Sequence, residues 1–230
     1  MKAQAYEAWY ESRRGRWIGA VEYALLRSLL RPEADASLLD IGCGTGHFTR
    51  LFARDIRGPV IGLDPNEEWL SYAQSRAESS ERYVTGRAEA LPFPDRSFDY
   101  TVSVTALCFV SDEERAVREL IRVTRRRFAL GLLNRHSLLY FQKGRQGGTG
   151  GYKGAHWHTA AEIRSLLARV AVTRLQIRTG VVLPVGGAFA RAADRCWPQR
   201  VPLGGFLAVM GDLTGVQEAP APAGPRVPGR

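Results

Sequence analysis

The feature that most constrains this 230-residue chain is segment 38–46, which reads LLDIGCGTG. A short apolar strand carries Asp40 near its end and runs into three glycines, Gly42, Gly44 and Gly46, at the spacing G-x-G-x-G. Glycines at this spacing let the backbone turn tightly and approach a ligand without obstruction by a Cβ atom. Residues 47–52 then begin a helix, whose first N–H groups favour negative ligand groups. The pattern predicts a nucleotide-cofactor site on a strand–loop–helix unit.

Two cofactor classes share this layout. A dinucleotide-binding Rossmann unit requires G-x-G-x-x-G/A, whose third glycine lets the helix pack closely on the sheet. His47 occupies that position here. A second apolar run, residues 60–64, ends in Asp64, whose carboxylate can accept hydrogen bonds from both hydroxyls of a ribose. Both classes contain a ribose, so Asp64, followed by Pro65, does not choose between them.

Further segments resemble the class I S-adenosylmethionine (SAM)-dependent methyltransferases of the ubiquinone/menaquinone-biosynthesis type, also called type 11. The acidic G-x-G-x-G loop is similar to their motif I. Residues 86–99, GRAEALPFPDRSFD, resemble the segment after their third strand, which dehydrogenases lack. Residues 100–112 resemble their fourth strand and the loop beneath the transferred methyl group. The resemblance covers roughly residues 6–135 in ordered motifs, and it implies SAM as the cofactor.

The resemblance also implies a set of cofactor-binding residues. Many relatives have Asp where this chain has Arg87, which cannot accept a hydrogen bond from the adenine amino group. The Ala88 backbone and Glu89 are therefore expected at the adenine edge, although Glu89 is equally well explained as an exposed loop acid. The predicted cofactor-binding set is Asp40, Gly42, Cys43, Gly44, Gly46, Asp64, Pro65, Ala88, Glu89 and Thr105.

The alternation of strands and helices predicts an α/β fold: a Rossmann-like, seven-stranded, mostly parallel sheet with helices on both faces and an N-terminal helical lid. Five parallel strands are expected within 37–134, and runs 171–179 and 205–211 are expected to close the sheet as an antiparallel pair. The ligand crevice should lie at the carboxyl ends of the first and fourth strands. The predicted division is a helical lid segment at 1–36, a SAM-binding methyltransferase domain at 37–215 and a disordered tail at 216–230.

Large aromatic residues lead the N-terminal segment. Residues 6–17, YEAWYESRRGRW, resemble the Y-x-x-W start of many relatives, which folds over the cofactor as a lid. Trp9, Tyr10 and Trp17, together with Phe109 from the loop after the fourth strand, are predicted to line the acceptor site. Simple docking onto the core is the alternative for the three N-terminal aromatics.

The reaction implied is an SN2 displacement, in which a hydroxyl acceptor needs a general base and an amine, thiol or carbanion needs mainly alignment. His136 and Tyr140 follow the fifth strand, and His156 and His158 precede a helix, where imidazole stays neutral. These four residues are the candidate catalytic groups, with a structural role as the alternative. The H-x-H spacing also suggests a metal, but the sequence places no acidic or cysteine partner beside it, so no metal site is predicted.

Composition limits the partners. The net charge of +9 favours nucleic acid, but the basic residues are dispersed. Their densest cluster, residues 125–127, follows a predicted helix, whose C-terminus favours cations, so a nucleic-acid partner is not expected. No apolar run reaches the ~20 residues of a membrane span, and the N-terminus shows no apolar signal region. Cys43, Cys108 and Cys196 form no metal or C-x-x-C pattern, which favours a reducing cytoplasm.

The sequence thus predicts a SAM-dependent methyltransferase acting on a small organic acceptor, apolar or quinone-like. Two alternatives stay open: a regulatory protein that binds SAM without transferring a methyl group, and a nucleic-acid methyltransferase. Neither the accepting atom nor the oligomeric state is predicted, because fold and cofactor do not determine them.

Overall fold

The computed structural model describes residues 2–78, 80–185 and 187–215, so the predicted tail at 216–230 lies outside the described residues. The strands are β1 Leu38–Ile41, β2 Val60–Asp64, β3 Arg82–Thr85, β4 Phe98–Val104, β5 Thr124–Leu133, β6 Arg174–Gly180 and β7 Phe206–Asp212. The helices are α1 Ala3–Glu11, α2 Arg13–Leu30, α3 His47–Asp55, α4 Glu67–Ser75, α5 Glu113–Val123, α6 Ala160–Leu167 and α7 Ala188–Cys196. Shorter helical turns lie at Leu107–Phe109, Tyr140–Gly144, Arg145–Gly147 and Gly150–Tyr152.

The seven strands form one sheet in the order β3-β2-β1-β4-β5-β7-β6. β1 to β5 pair in parallel, whereas β7 runs antiparallel to both β5 and β6. The predicted seven-stranded, mostly parallel sheet is confirmed. Chain order reverses between β1 and β4, which are neighbours, and this switch point is where an open α/β sheet binds its ligand.

Apolar sequence runs explain the strands at the centre of the sheet. All four residues of β1 are buried, as are residues 128–133 of β5. Strands covered by helices on both faces read as continuous apolar runs rather than alternating ones. One core cluster includes Leu39, Leu120 and Phe128, and a second includes Leu26, Phe52 and Ala129. Ala129 follows Phe128 on the same strand, so the two clusters lie on opposite faces of the sheet.

Side-chain caps fix three helix starts. Asn66 accepts a hydrogen bond from the Trp69 N–H (3.1 Å) and Asp112 accepts one from the Arg115 N–H (2.9 Å). Thr159 forms a capping box with Glu162 at the start of α6. α6 ends at Leu167, and Val170 and Val172 beyond it pack against the core from a loop.

The N-terminal segment divides into two helices with different surroundings. α2 packs against β5, β6 and β7, and its residues Leu25, Leu26, Leu29 and Leu30 are at most 4% exposed. α1 contacts α2 and α4 and lies over the carboxyl edge of the strands. α2 is therefore a layer of the domain core, and α1 is the part that covers the crevice. Within the described part of the chain, no helix is long and apolar enough to cross a membrane.

Candidate active site

The loop after β1 forms the floor of a cavity of about 690 Å³ at the carboxyl edge of the sheet, here called the cofactor cavity. The backbone N–H groups of Gly42 and Cys43 both donate to the carbonyl of Leu63, at 2.7 and 3.0 Å, which joins this loop to the end of β2. Gly42 has a φ of 75°, and a Cβ atom there would lie 2.2 Å from the Cβ of Ala106. Only glycine fits this close approach of the β1 and β4 loops.

Asp64 ends β2 and lines the cofactor cavity. Its Oδ2 accepts a hydrogen bond from the Gly44 N–H and its Oδ1 accepts one from the Asn66 N–H, both at 2.9 Å. Each carboxylate oxygen has a second lone pair. Burial raises the pKa of Asp64, which the two backbone bonds oppose. The carboxylate is held by the backbone with acceptor capacity to spare for a pair of ribose hydroxyls.

Asp40 lies at the bottom of the same cavity and is 1% exposed. Its Oδ2 accepts a hydrogen bond from the Thr49 hydroxyl (2.7 Å), and its Oδ1 has no partner among the described residues. Burial, aided by the charge of Asp64, raises the pKa of Asp40 to about 7. A buried carboxylate oxygen without a partner calls for a donor, and the ammonium group of the methionine part of SAM would be one. The cavity's donors and acceptors thus fit SAM.

The predicted cofactor-binding residues line this cavity with one exception. Gly46 instead begins α3, where a Cβ atom would lie 2.5 Å from the hydroxyl of Tyr83. Trp69 also lines the cavity and was not predicted; its indole ring lies beside Gly44 and 5.0 Å from the ring of Tyr6. The signal for Trp69 is its place in the first turn of the helix that follows Asp64.

Arg87, at a position where many relatives have Asp, lies at the adenine end of the predicted site. The guanidinium of Arg87 is 67% exposed and lies 3.6 Å from the carboxylate of Glu89, which is 15% exposed. The Ser111 hydroxyl donates to the same carboxylate at 3.4 Å. Arg87 and Glu89 therefore both line the cavity, Arg87 with a largely exposed side chain and Glu89 with a mostly buried one.

A second cavity of about 280 Å³, here called the acceptor cavity, adjoins the first. Trp9 from α1, Tyr152 from the loop after β5 and Phe206 from β7 supply part of its aromatic lining. The two cavities share Tyr6, Tyr10, Thr105, Phe109 and Gly151. Trp17 lines neither cavity and packs, partly buried, on the core.

Thr105 occupies the junction of the two cavities with a φ of 55°. This left-handed conformation is uncommon outside glycine and costs of order 1–3 kcal/mol. The Thr105 N–H donates to the carbonyl of Gly131 at 2.7 Å, which holds the turn in place. The β4 loop is therefore fixed at the point where the two cavities meet.

A buried ion pair fastens α1 to the cofactor loop. Glu7 accepts hydrogen bonds from the Thr45 hydroxyl (2.6 Å) and from Arg50 Nη2 (2.5 Å). Burial raises the pKa of Glu7, but hydrogen bonds from His47 and Thr45 and the charge of Arg50 outweigh it, so the pKa is lowered. The ring of Tyr10 stacks on His47 at 3.8 Å. The covering helix and the start of α3 thus form one connected unit.

The four candidate catalytic residues line neither cavity. His136 and His156 are exposed, and Tyr140 packs against the ring of Trp157 at 5.4 Å. His158 is 1% exposed, with Nε2 3.0 Å from Oε1 of Glu113 and Nδ1 3.9 Å from Sγ of Cys108. The structure therefore brings His158 into a buried hydrogen-bonded cluster rather than to the reacting centre.

The same cluster corrects one expectation about the H-x-H pair. The sequence analysis placed no acidic or cysteine partner beside it, and this is wrong: Glu113 and Cys108 are both there. Ligand atoms of Glu113, His156 and His158 lie within 4.8 Å of one another. Two imidazoles and a carboxylate are donors that zinc accepts. The carboxylate of Glu113 is already hydrogen-bonded to His158, whereas His156 is exposed beside them.

Part of this chain matches a known protein family. Residues 39–128 match a family described as "Methyltransferase domain". An uncharacterized protein of Mycobacterium tuberculosis is 38% identical over 175 residues, 72% of this chain and 56% of that protein. A demethylmenaquinone methyltransferase of Listeria monocytogenes is 34% identical over 101 residues, 41% of this chain and 43% of that enzyme. This chain therefore spans little more than half the length of the first of these relatives.

A solved structure from Thermotoga maritima, described as a SAM-dependent methyltransferase and possible histamine N-methyltransferase, superposes with a TM-score of 0.72. The superposition covers 91% of this chain and 95% of that chain at 24% identity, so it shows the fold alone. The family match covers the loops that line the cofactor cavity as far as the start of β5. The resemblance predicted from the motifs and the SAM cofactor that it implies are confirmed: residues 39–128 match the methyltransferase-domain family, and the demethylmenaquinone methyltransferase is similar to this chain over part of its length.

Proposed function

We propose that this chain transfers the methyl group of SAM to a small organic acceptor held in the acceptor cavity. The observation that carries the proposal is that the two cavities are neighbours that share lining residues, among them Thr105 and Phe109. When bound, SAM supplies an electrophilic methyl group. An acceptor in the second cavity would lie next to the cofactor, as an in-line displacement requires.

The residues of the cofactor cavity have distinct proposed roles. Asp64 receives the ribose hydroxyls, Asp40 receives the ammonium of the methionine part, and Glu89 with the Ala88 backbone receives the adenine edge. The aromatic residues of α1 exclude water from the junction. An apolar surround strengthens the electrostatic interactions within the site.

The lining of the acceptor cavity supports a small acceptor with an apolar body. Trp9, Tyr152 and Phe206 present ring surfaces, whereas the lining contains no lysine, arginine or histidine. A nucleic-acid acceptor would require basic groups along its phosphate backbone. The net positive charge of the chain therefore does not support a nucleic-acid acceptor in this cavity. The three cysteines are free, which supports the cytoplasm as the proposed compartment.

The proposal is tested by incubating the full chain with methyl-labelled SAM and a panel of amines, phenols, quinols, thiols and transfer RNA. Acceptor-dependent formation of S-adenosylhomocysteine and a labelled small molecule is the expected result. Labelled RNA would support the nucleic-acid alternative. Tight SAM binding without transfer to any member would support a regulatory SAM-binding protein instead. Asp64→Ala is the matched control, because it should lose transfer through loss of SAM binding.

A further inference from the structure

One acidic side chain lines the acceptor cavity. Glu22, in the middle of α2, is 8% exposed and belongs to the cavity's lining. Over the described ranges, its carboxyl group forms no hydrogen bond and no ion pair. A buried carboxyl group without a partner loses hydration with no compensation, which disfavours its ionised form strongly.

Fold stability does not explain this residue. Glu22 lies four residues after Ile18 and three before Leu25, on the buried face of α2. An apolar side chain at that position would pack on the same face without loss of hydration. A strongly perturbed acid in a cavity beside a cofactor site is instead a candidate functional group. The burial of Glu22 raises its pKa to about 8.

The other side chains that line the acceptor cavity are aromatic, aliphatic or small, and none is charged. From α1, Tyr6 and Tyr10 face the cavity with their hydroxyl oxygens 3.4 Å apart, and burial raises the pKa of each. Tyr152 faces it from the loop after β5, and burial raises its pKa to about 12. Arg14, earlier on α2, is outside the lining, and its charge acts on Tyr152 rather than on Glu22. The cavity combines one acid with several ring faces.

We propose that the acceptor is a small amine whose protonated nitrogen is recognised by the Glu22 carboxylate within the aromatic lining. The inference rests on the proposed function, since it names the substrate class of that site. Ring faces attract a cation, and a carboxylate supplies its counter-charge. A neutral apolar molecule would leave the carboxyl group unpartnered, and an anionic one could form no ion pair with its carboxylate.

Glu22 also gives the bound amine its proton route. An ammonium has no free lone pair, so its proton must leave before the nitrogen can act as a nucleophile. One N–H bond of the ammonium breaks and one O–H bond forms on the Glu22 carboxylate, which yields a neutral amine and a neutral carboxylic acid. The electron pair of the broken N–H bond stays on nitrogen as its lone pair. Glu22 thus has both a binding and a proton-accepting role.

The test uses three matched pairs of probes: 2-phenylethylamine, tyramine and tryptamine, each against the alcohol that replaces its amine. Calorimetry on the full chain with bound S-adenosylhomocysteine should show at least one amine binding about tenfold or more tightly than its alcohol. Glu22→Gln should abolish that preference. The exposed acid Glu11 gives the control variant Glu11→Gln, which should keep it.

Proton linkage gives a readout that a packing role would not move. At pH 7 the free Glu22 is mostly protonated, so forming the ion pair should release about one proton per amine bound. Titrations in buffers of different ionisation heats measure this number, which should fall to about zero in Glu22→Gln. An amine preference or a proton release that survives in Glu22→Gln would overturn the inference, as would alcohols binding as well as amines.

SAM binding separates failure of this inference from failure of the proposed function. Glu22→Gln should bind SAM as the natural chain does, which also shows that the variant is folded. SAM binding and methyl transfer to a phenol or thiol, with no amine bound, would overturn the amine and leave the methyltransferase proposal intact. Absence of SAM binding in the natural chain would overturn both.

Discussion

The cofactor cavity and the acceptor cavity share a wall but are built differently. The cofactor cavity lies at the carboxyl ends of neighbouring parallel strands, and Asp64 is fixed there by the N–H groups of Gly44 and Asn66. The acceptor cavity is assembled from side chains of α1, α2 and the segments after β5 and β6, and Glu22 has no partner within the described residues. A preorganised polar cavity suits one fixed ligand, whereas an aromatic cavity with one acid selects by a single charged group.

α1 links the two cavities, and breaking its attachment is the largest expected effect. Glu7→Ala leaves Arg50 buried without its partner, so the free energy of unfolding should fall by about 3 kcal/mol. Urea denaturation measures this change. Glu114→Ala, which removes exposed pairs with Arg118 and Arg169, should cost less than about 1 kcal/mol. Equal losses in the two variants would show that α1 is not anchored by Glu7.

Removing the Asp64 carboxylate, which is proposed to accept hydrogen bonds from the ribose, should affect the cofactor cavity alone. Asp64→Ala loses two charge-assisted hydrogen bonds, so SAM affinity should fall at least about tenfold by calorimetry. Glu67→Ala, at an exposed acid in the next helix, should bind SAM normally. Unchanged SAM binding in Asp64→Ala would remove Asp64 from the cofactor site.

The pH dependence of SAM binding should reveal Asp40. Its pKa of about 7 means that the carboxylate forms above that pH and is neutral below it. Only the ionised form attracts an ammonium, so SAM affinity should rise about tenfold between pH 6 and pH 8. In Asp40→Asn the rise should disappear, and an undiminished rise would assign it to another group.

Ionisation of Asp40 should raise SAM affinity but lower the stability of the SAM-free fold. Because the pKa of Asp40 is raised in the folded state, the stability present below its unfolded pKa is lost as pH rises through about 7. Asp40→Asn should therefore be less sensitive to pH than the natural chain between pH 6 and pH 8, when unfolding free energy is measured without SAM. A steeper decline in the variant would contradict the burial of this carboxyl group.

The smallest effect is expected at His136, which is exposed and lines neither cavity. His136→Ala should leave SAM affinity and methyl transfer within about twofold of the natural chain, as surface substitutions commonly do. A large loss of turnover with normal SAM binding would restore His136 as a catalytic base and weaken the case for Glu22.

The cofactor cavity could be predicted because its groups lie in short contiguous motifs at strand ends. Segment 38–46 and Asp64 each carry a glycine loop or an acid directly after an apolar run, and parallel pairing brings those ends together. Trp17 shows the limit of such motifs: it belongs to the same aromatic lead as Trp9, but it lies in α2 rather than α1 and lines neither cavity.

The acceptor cavity could not be predicted in the same way, because its residues come from distant segments that only packing brings together. The sequence shows Glu22 as an acid between Ile18 and Leu25 on an apolar helical face. The residues that line the cavity with it, such as Tyr152 and Phe206, are far away in sequence. Glu113 beside His158 was missed for the same reason: the two residues are 45 positions apart and meet only when α5 packs beside the segment that leads into α6.

The most direct test of the two-cavity arrangement is a crystal structure of the full chain with S-adenosylhomocysteine. The ribose is expected at Asp64, the amino acid part at Asp40, and the sulfur at the junction marked by Thr105, facing the cavity that contains Glu22. A cofactor whose sulfur faces away from that cavity, or whose ribose avoids Asp64, would contradict the proposed site.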